Sequence, residues 1–379
     1  MLKIRLLFLS ILFPIFLFGG IQEKEQKIID DIQYGREIAG FPNWPNLFGK
    51  IETYLNDFPR MKELVALKTF TGKTGWSMDH ETVGFVAKNP YNGDYIVSIR
   101  GTFTLNLNDW LTNLNTNQKI CNHLTCFCKA PADNENEDLK SSTIKVELTQ
   151  QEEIAKKVHD GFYCYARSML DQIWGDLFSR LKSDFKKSGK KNFHDFLMQA
   201  KISFYGHSLG GAAAQIIAVM IKNELLHNIE MLADEDAMED VTAEEISEKI
   251  KGNIKVFTYE APRVFTQALA QTFDDFIGKE NHFRMIQKMR KTPDYGHPFT
   301  NTLVDLLSQD DFPWEDEEWI ADPVTQFPVG DFAHTGTLFE IVVDYAKDHD
   351  KVGSFLHTSI PKITRKHMEK SLRENLSAF

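Results

Sequence analysis

Residues 202–215 read ISFYGHSLGGAAAQ: a β-prone run, a histidine and a serine between glycines, then a run of small residues. The stretch GHSLG fits the pattern G-x-S-x-G, and Gly211 follows it. At a sharp strand-to-helix turn, the residues two positions either side of the serine must lack side chains for the turn to close. The context therefore predicts a nucleophile elbow with Ser208 exposed at the amino end of a helix, where unpaired N–H groups favour negative charge. The simpler alternative is that Ser208 only caps the helix.

Strand and helix signals alternate on both sides of the elbow. Residues 23–40 have helical spacing, with an apolar face of Ile28, Ile29, Ile32 and Ile38, and TQQEEIAKKVHDGFYCYARSML predicts a helix that continues towards Leu181. TVGFVAK and DYIVSIRG flank the turn signal NPYNGD and predict a β-hairpin, while KISFYG, NIKVFTYEAP and HFRMIQKM predict three further strands. This alternation predicts an α/β fold with a largely parallel sheet and functional residues at the carboxyl ends of its strands.

The amino terminus differs from the rest of the 379-residue chain. In MLKIRLLFLSILFPIFLFGG, Lys3 and Arg5 precede an apolar run, which predicts an export signal over residues 1–20, with a retained membrane anchor or a buried amphiphilic arm as the alternatives. Residues 21–379 are predicted to form a single domain, secreted or otherwise exported. The net charge of −11 and the lack of a long basic tract argue against nucleic-acid binding.

Two polar segments interrupt this domain. The loop at 115–150 contains CNHLTCFCK, and with Cys164 the chain has four cysteines, which predict disulfides whose three alternative pairings sequence cannot separate. A zinc site is the weaker alternative, because the spacing lacks a C-x2-C knuckle. Residues 230–251 are rich in acidic side chains and predict a solvated helical insertion.

Four motifs carry a family resemblance. GHSLGG, together with IVSIRGTFTLNLNDWLTNL, VHDGFYCYA and VFTYEAPRV, resembles the class 3 lipase family, the α/β hydrolases typified by fungal triacylglycerol lipases. The motifs occur in family order, and the resemblance covers about residues 80 to 360. It implies an α/β-hydrolase fold, with a mostly parallel central sheet and helices on both faces.

The resemblance also implies an oxyanion hole and a lid. In the family pattern, Thr102 of RGT contributes its backbone N–H and hydroxyl, and the Leu209 N–H is the second donor, as a tetrahedral oxyanion requires. The segment after Thr102 is a lid helix in the family. Here residues 103–114 contain Leu105, Leu107, Trp110, Leu111 and Leu114, which would form an apolar flap or, alternatively, ordinary core.

The catalytic base is expected near the carboxyl terminus, because the triad of this fold runs Ser, Asp or Glu, then His. The candidates are His334, His349, His357 and His367. His357 in HTSI resembles the terminal H-x-x-Y stretch of the family without its aromatic residue, so we choose it, with His349 as the alternative. His334 lies in FAHTGTLFEI, which resembles a family segment preceding the catalytic histidine.

The triad acid departs from the family pattern. A gap-free alignment of RMIQKMRKTP puts Arg290 where the family has its aspartate, and a cation cannot orient an imidazolium. A short insertion would bring the next carboxylate, Asp294, to the same strand end. Asp322 and Asp331 are alternatives, as is the absence of an acid.

The expected function is therefore that of a lipase or carboxylesterase, with Ser208, Asp294 and His357 as its triad and with no metal or organic cofactor. The resemblance implies a lipid ester at a lipid–water interface, with triacylglycerol or monoacyl substrates ahead of phospholipid. The sequence does not indicate the oligomeric state. The rival from another class is a catalytically reduced scaffold with a hydrolase fold, which Arg290 keeps open.

Overall fold

The computed structural model describes residues 26–40, 61, 63–73, 80–101, 120–121, 158–235, 243–290, 319–321, 323–326, 328 and 331–343. Its strands are β1 (Val65–Lys73), β2 (His80–Lys88), β3 (Tyr95–Ile99), β4 (Ile120–Cys121), β5 (Val158–His159), β6 (Ile202–His207), β7 (Ile254–Tyr259), β8 (Phe265–Thr266), β9 (His282–Arg290), β10 (Trp319–Ala321), β11 (Phe332–Ala333) and β12 (Thr337–Val343). Its helices are α1 (residues 26–40), α2 (Asp160–Ser188), α3 (Phe193–Leu197), α4 (Leu209–Glu235), α5 (Ala243–Lys251) and α6 (Gln267–Phe273). A π-helical turn, Asp274–Gly278, and short 3-10 turns at Lys279–Asn281 and Pro323–Gln326 complete it.

The main sheet is mostly parallel. Its neighbours run in the order β1, β2, β3, β6, β7, β9, β12; β1, β2 and β3 pair antiparallel, and every later pair is parallel. The short β10 pairs antiparallel with the last residues of β9. The five parallel strands, β3, β6, β7, β9 and β12, point the same way. Their carboxyl ends therefore lie along one edge of the sheet, and the loops that follow them start there. A smaller antiparallel sheet has the order β11, β8, β5, β4.

Helices cover both faces of the main sheet, as a sheet with apolar residues on both faces requires. All five residues of β3 are buried, and α2 and α4 cover one face. On the other face α1 buries Ile29, Ile32 and Ile38 completely. The Tyr259 hydroxyl donates to the Ile32 carbonyl oxygen at 2.6 Å and fixes α1 to the sheet. The predicted fold class is confirmed, and so is the helix predicted at residues 23–40 over its described part, residues 26–40.

The predicted hairpin and strands are present. In the turn between β2 and β3, Gly93 has a φ of 75°, a backbone conformation that costs glycine nothing. The strands predicted in KISFYG, NIKVFTYEAP and HFRMIQKM are present as β6, β7 and β9, although β7 ends at Tyr259, three residues before the end of the predicted stretch.

The helix predicted around residue 158 starts later than expected. Val158–His159 is a strand, and α2 runs from Asp160 to Ser188, beyond the predicted end at Leu181. The His159 N–H donates to the Val264 carbonyl oxygen at 3.0 Å, so pairing with a distant segment holds these two residues extended. The helical pattern of the sequence carries no information about that partner.

The long helix α4 forms the centre of the core. Among the residues that the structure describes, its segment Leu209–Ile229 is long and apolar enough to span a membrane, but 89% of it is buried inside the protein. The predicted acidic insertion contains the end of α4 and α5. Ile246 and Ile250 of α5 are buried in the main core, so the described part of this segment is anchored on one side.

Several predicted features lie outside the described residues. These are the export signal at 1–20, the lid segment at 103–114, most of the loop at 115–150, and residues 236–242 of the acidic insertion. Cys121 lies in β4 and Cys164 lies on α2 with an exposed side chain, whereas Cys126 and Cys128 are outside the described part. The disulfide pairing therefore stays a prediction.

Candidate active site

Ser208 occupies the turn between β6 and α4 and has a φ of 56°. A non-glycine residue in this left-handed region costs about 1–2 kcal/mol. Gly206 and Gly210 make the turn possible, because a Cβ on Gly206 would lie 2.2 Å from the Gly210 carbonyl oxygen. A Cβ on Gly210 would lie 2.2 Å from the Ile99 carbonyl oxygen. The strand, the helix and the neighbouring strand therefore approach too closely for any side chain at these positions, as the motif predicts.

The backbone around Ser208 is held on both sides. Its N–H donates to the Tyr259 carbonyl oxygen at 2.9 Å, and its own carbonyl accepts from Gly211 N at 2.9 Å and Ala212 N at 3.2 Å. The expectation that Ser208 is exposed is wrong: the residue is 2% exposed. Much of it is enclosed because the elbow packs between the ends of β3 and β7.

The amino end of α4 borders the end of β3. Leu209 is the first residue of α4, and a Cβ on Gly210 would lie 2.7 Å from the Arg100 carbonyl oxygen. Gly101 follows Arg100 and is the last described residue before Thr102, which lies outside the described part. The predicted donor Leu209 and the end of β3 thus occur side by side. This arrangement suits two oxyanion donors that come from different loops.

The other predicted catalytic residues lie outside the described part of the chain. These are Asp294 and His357, together with the alternatives Asp322, His349 and His367. The chain leads to Asp294 from the end of β9 and to His357 and His349 from the end of β12, at the same edge as Ser208. Of the alternatives within the described residues, Asp331 is exposed, and its carbonyl oxygen accepts from Gln267 N at 3.0 Å.

Arg290 is the last residue of β9 and does not yet lie in a turn. Its backbone still pairs with Trp319 of β10. The strand therefore continues through the position that aligns with the family's aspartate. Any acid on the loop that follows β9 must come from a residue after Arg290.

Glu260, which no sequence motif marks, lies beside the elbow. It follows β7, has a φ of 52° and is completely buried. Its Oε2 is 3.2 Å from Nε2 of His207, the residue before Ser208, and its N–H donates to the Met285 carbonyl oxygen at 2.9 Å. Glu260 lies inside the predicted strand NIKVFTYEAP and no glycine marks the turn, so the sequence gives no signal for it.

A buried chain of hydrogen bonds supports α4 beneath the elbow. Gln215 Nε2 donates to the Gly211 carbonyl oxygen at 3.3 Å, and the Thr335 hydroxyl donates to Gln215 Oε1 at 2.8 Å. His282 bridges Thr335 and Thr258, with 3.0 Å from each ring nitrogen to the hydroxyl oxygen it faces. Because Thr335 already donates its proton, it must accept from His282 Nδ1–H, and Thr258 then donates to Nε2. The chain fits a neutral His282 that carries its proton on Nδ1.

The electrostatics agree with a neutral His282. Burial lowers its pKa from 6.5 to about 3, and the nearby Arg284 adds to the effect. Burial likewise lowers the pKa of His334 well below its usual value, with Arg284 and Arg263 contributing. His334 lines a pocket of about 600 Å³ at the starts of β9 and β12, together with the charged Asp274 and Arg284. His334 thus comes before β12, whereas a catalytic base near Ser208 would come after β12, at the carboxyl end of that strand.

Metal ligation finds no support in the described residues. No group of three or more histidine, cysteine, aspartate or glutamate side chains that could hold a metal ion occurs among them.

Comparison with known proteins gives one family and several solved structures. The family model for class 3 lipases matches residues 96–290. The Rhizomucor miehei lipase propeptide complex is 14% identical, with 83% of this chain and 68% of that chain covered and a TM-score of 0.45. A lipase from Rhizopus microsporus var. chinensis is 16% identical, with 83% and 75% covered and a TM-score of 0.44. The Lip2 lipase of Yarrowia lipolytica is 16% identical, with 83% and 79% covered and a TM-score of 0.45. Comparison with curated proteins finds no match.

Proposed function

Because the chain belongs to the class 3 lipase family, we propose that it hydrolyses lipid esters through an acyl-enzyme formed on Ser208. The observation that carries the proposal is the geometry of the elbow. Ser208 is held in a left-handed conformation at the amino end of α4. The glycines on either side of it cannot be replaced by larger residues, because a Cβ at either position would collide with backbone atoms. A serine that served only as a helix cap would have an extended backbone and would not require this strain.

The proposed reaction follows the serine-hydrolase scheme. His357, oriented by Asp294, accepts the Ser208 proton as Oγ forms a bond to the ester carbonyl carbon. The N–H groups of Thr102 and Leu209 stabilise the oxyanion. The intermediate collapses, and the leaving alcohol takes the proton from His357. Water then attacks the acyl-enzyme, with His357 again accepting a proton, and releases the carboxylic acid and free Ser208.

The sheet topology supports this assignment of roles. Thr102 follows β3, Ser208 follows β6, Asp294 follows β9 and His357 follows β12, and these strands are parallel. All four loops therefore start at one edge of the sheet, as in open α/β sheets with their sites at the carboxyl ends. The continuation of β9 through Arg290 supports Asp294, because the strand delays the turn that would carry the acid.

A lid is part of the proposal. We assign it to residues 103–114, whose apolar side chains would be buried at a lipid surface when the site opens. Because Ser208 is 2% exposed, an ester must reach it through such an opening. The proposed substrates are triacylglycerol or monoacyl esters ahead of phospholipid, with peripheral membrane contact during turnover. A soluble aromatic ester is the alternative substrate.

The first experiment compares the wild-type protein with Ser208→Ala on short- and long-chain esters, with and without an emulsified interface. Hydrolysis should fall by about 10⁶-fold in Ser208→Ala, since loss of the nucleophile removes the whole covalent route. Ser183→Ala, an exposed serine on α2, is the matched control and should behave as wild type. Activity that rises at the interface would support the lid. Full activity in Ser208→Ala would refute the mechanism.

A folded wild-type protein that hydrolyses no ester would favour the second candidate, a catalytically reduced scaffold. Arg290 at the family's aspartate position is the observation that favours it.

The proposed location is outside the cytoplasm, with residues 1–20 acting as an export signal. The intact mass of the exported protein tests this proposal. A mass that lacks these residues supports it, whereas the full-length mass of 43.6 kDa in a membrane fraction would favour the anchor.

A further inference from the structure

Two turns at the edge of the sheet share an unusual backbone. Among the residues that the structure describes, Ser208 and Glu260 are the non-glycine residues with positive φ, at 56° and 52°. Each directly follows a strand, and the two strands, β6 and β7, are neighbours. Glycine would avoid the cost of this conformation. The role of nucleophile accounts for the strain at Ser208, but no step of the proposed reaction accounts for the strain at Glu260.

The turn after β7 contacts the elbow through backbone and side chain. Tyr259, the residue before Glu260, accepts a hydrogen bond from Ser208 N at 2.9 Å. Glu260 itself contacts His207, the residue before Ser208, with 3.2 Å between Oε2 and Nε2. Adjacent residues of one turn thus hold adjacent residues of the other. A third contact lies beyond Ser208, because a Cβ on Gly211 would lie 2.7 Å from the Ala261 Cβ.

The side-chain contact is strongly constrained because it is buried. The Glu260 side chain is completely buried, and that of His207 is 14% exposed. A buried carboxylate is unfavourable unless it is paired, and removal of one partner of such a pair is strongly destabilising. The pairing therefore fixes the direction of both side chains. It also fixes the backbone of His207, the residue at which β6 ends and the elbow begins.

We propose that Glu260 is a positioning residue for the nucleophile: by holding His207, it fixes the turn that directs Ser208 Oγ towards the ester. This inference rests on the proposed function and deepens it. Glu260 does not contact the reacting atoms in this proposal and acts through His207. Its loss should therefore lower the reactivity of Ser208 and kcat, while KM for a soluble ester stays unchanged.

The substitutions separate positioning from simple stability. Glu260→Ala removes the carboxylate and keeps the left-handed strain, whereas Glu260→Gly removes both. Glu260→Gln keeps an oxygen that can accept a hydrogen bond from His207 Nε2–H. The matched control is Asp195→Ala, which breaks a second histidine–carboxylate pair, His194 with Asp195 at 3.0 Å, on α3.

The experiment measures the reaction of Ser208 with a p-nitrophenyl alkylphosphonate. Ser208 Oγ bonds to phosphorus and p-nitrophenolate leaves, while the serine proton passes to the base. Release of p-nitrophenolate reports the rate for each protein molecule without a lipid interface. Folding of every variant is checked by circular dichroism, and KM and kcat are measured on a soluble ester.

We expect Glu260→Ala and Glu260→Gly to react about 10–100-fold more slowly than wild type, because small misplacements of a nucleophile have effects of this size. Glu260→Gln should restore most of the rate, and Asp195→Ala should match wild type. If Glu260→Ala does not fold, the rate of Glu260→Gly, which is free of the backbone strain, tests the positioning role instead.

Three results would overturn the inference. They are a folded Glu260→Ala or Glu260→Gly protein within about twofold of the wild-type rate, a Glu260→Gln protein as slow as Glu260→Ala, and a loss seen in KM alone. A wild-type protein that does not react at all would instead overturn the proposed function, so the two failures are distinguishable.

Discussion

The turns after β6 and β7 have the same backbone conformation, but they differ in what makes it possible. At Ser208, Gly206 and Gly210 create the space for the turn. At Glu260 the flanking residues are Tyr259 and Ala261, both buried, and the turn is held by contacts to Met285 and His207. One strained turn is thus encoded locally, whereas the other depends on distant partners.

This difference explains why a sequence motif exists for one turn and not for the other. Steric demands within a few residues restrict the local composition, and such restrictions are readable as patterns. Tertiary hydrogen bonds and buried pairs restrict residues far apart in the chain. A functional role for Glu260 therefore becomes visible only once the strands are paired.

Beyond the loss of Ser208 itself, the largest expected effect concerns a third strand end, that of β9, where Arg290 replaces the aspartate of the family motif. Asp294→Asn should lower kcat by about 10⁴-fold, because the base would lose the carboxylate that holds its tautomer. The measurement is steady-state hydrolysis of a soluble ester. Asp171→Asn, which changes a carboxylate on α2 whose side chain is 84% exposed, is the control. A loss below about tenfold in Asp294→Asn would move the acid to Asp322 or Asp331.

The next effect tests the local encoding of the Ser208 turn. Gly210→Ala should destabilise the protein by about 3 kcal/mol or more, because the new Cβ would meet backbone atoms of Ile99 and Arg100 that cannot move aside. Gly252→Ala has nothing within 4 Å of its new Cβ and serves as the control. Chemical denaturation measures both. Equal stabilities of the two variants would contradict the steric account.

A smaller effect is expected when the pH is lowered, because protonation of His282 disrupts the hydrogen bonds beneath the elbow without altering either turn. His282 has a pKa of about 3 in the folded protein, below its unfolded value of 6.5, so between these values the unfolded state binds more protons. Stability is therefore highest above pH 6.5 and falls as the pH is lowered, by about 2 kcal/mol between pH 6.5 and pH 5. The lowered pKa of His334 adds a loss in the same direction.

Denaturation at several pH values measures this loss, with His282→Gln as the test variant. The variant lacks the titrating group and should show a shallower pH dependence than wild type. Ser183→Ala, the exposed position on α2 used above, should keep the wild-type dependence. A wild-type stability that stays constant from pH 6.5 to pH 5 would show that the buried histidines do not limit acid stability.

The smallest effect tests the other turn. Ala261→Gly removes a buried methyl group beside Glu260 but leaves both hydrogen-bonded partners of that residue in place. We expect a loss of about 1 kcal/mol, mostly from the added freedom of the unfolded chain, and no change in hydrolysis. Thermal unfolding and the ester assay measure it. A large loss of activity would mean that the turn after β7 depends on local packing after all.

The fold was largely readable from sequence because its signals are local. Apolar runs gave β6, β7 and β9, and the period of the isoleucines gave α1. The start of α2 was missed, because pairing with β8 decides the conformation of Val158 and His159. Of the site, the motif gave Ser208 and Leu209. Glu260 and the hydrogen-bonded chain through His282 could not be found, because each joins residues far apart in sequence.

The helix α1 also bears on where this protein can be cut. The family match begins at residue 96, yet α1 covers one face of the sheet from residues 26–40. Its Gly35 lies so close to the sheet that a Cβ there would be 2.6 Å from the Tyr259 hydroxyl and 2.7 Å from the Tyr205 ring. A truncated chain that starts at residue 96 would lack α1 and would expose these aromatic rings to solvent. Such a fragment should aggregate, so α1 must be retained in any recombinant version of the protein.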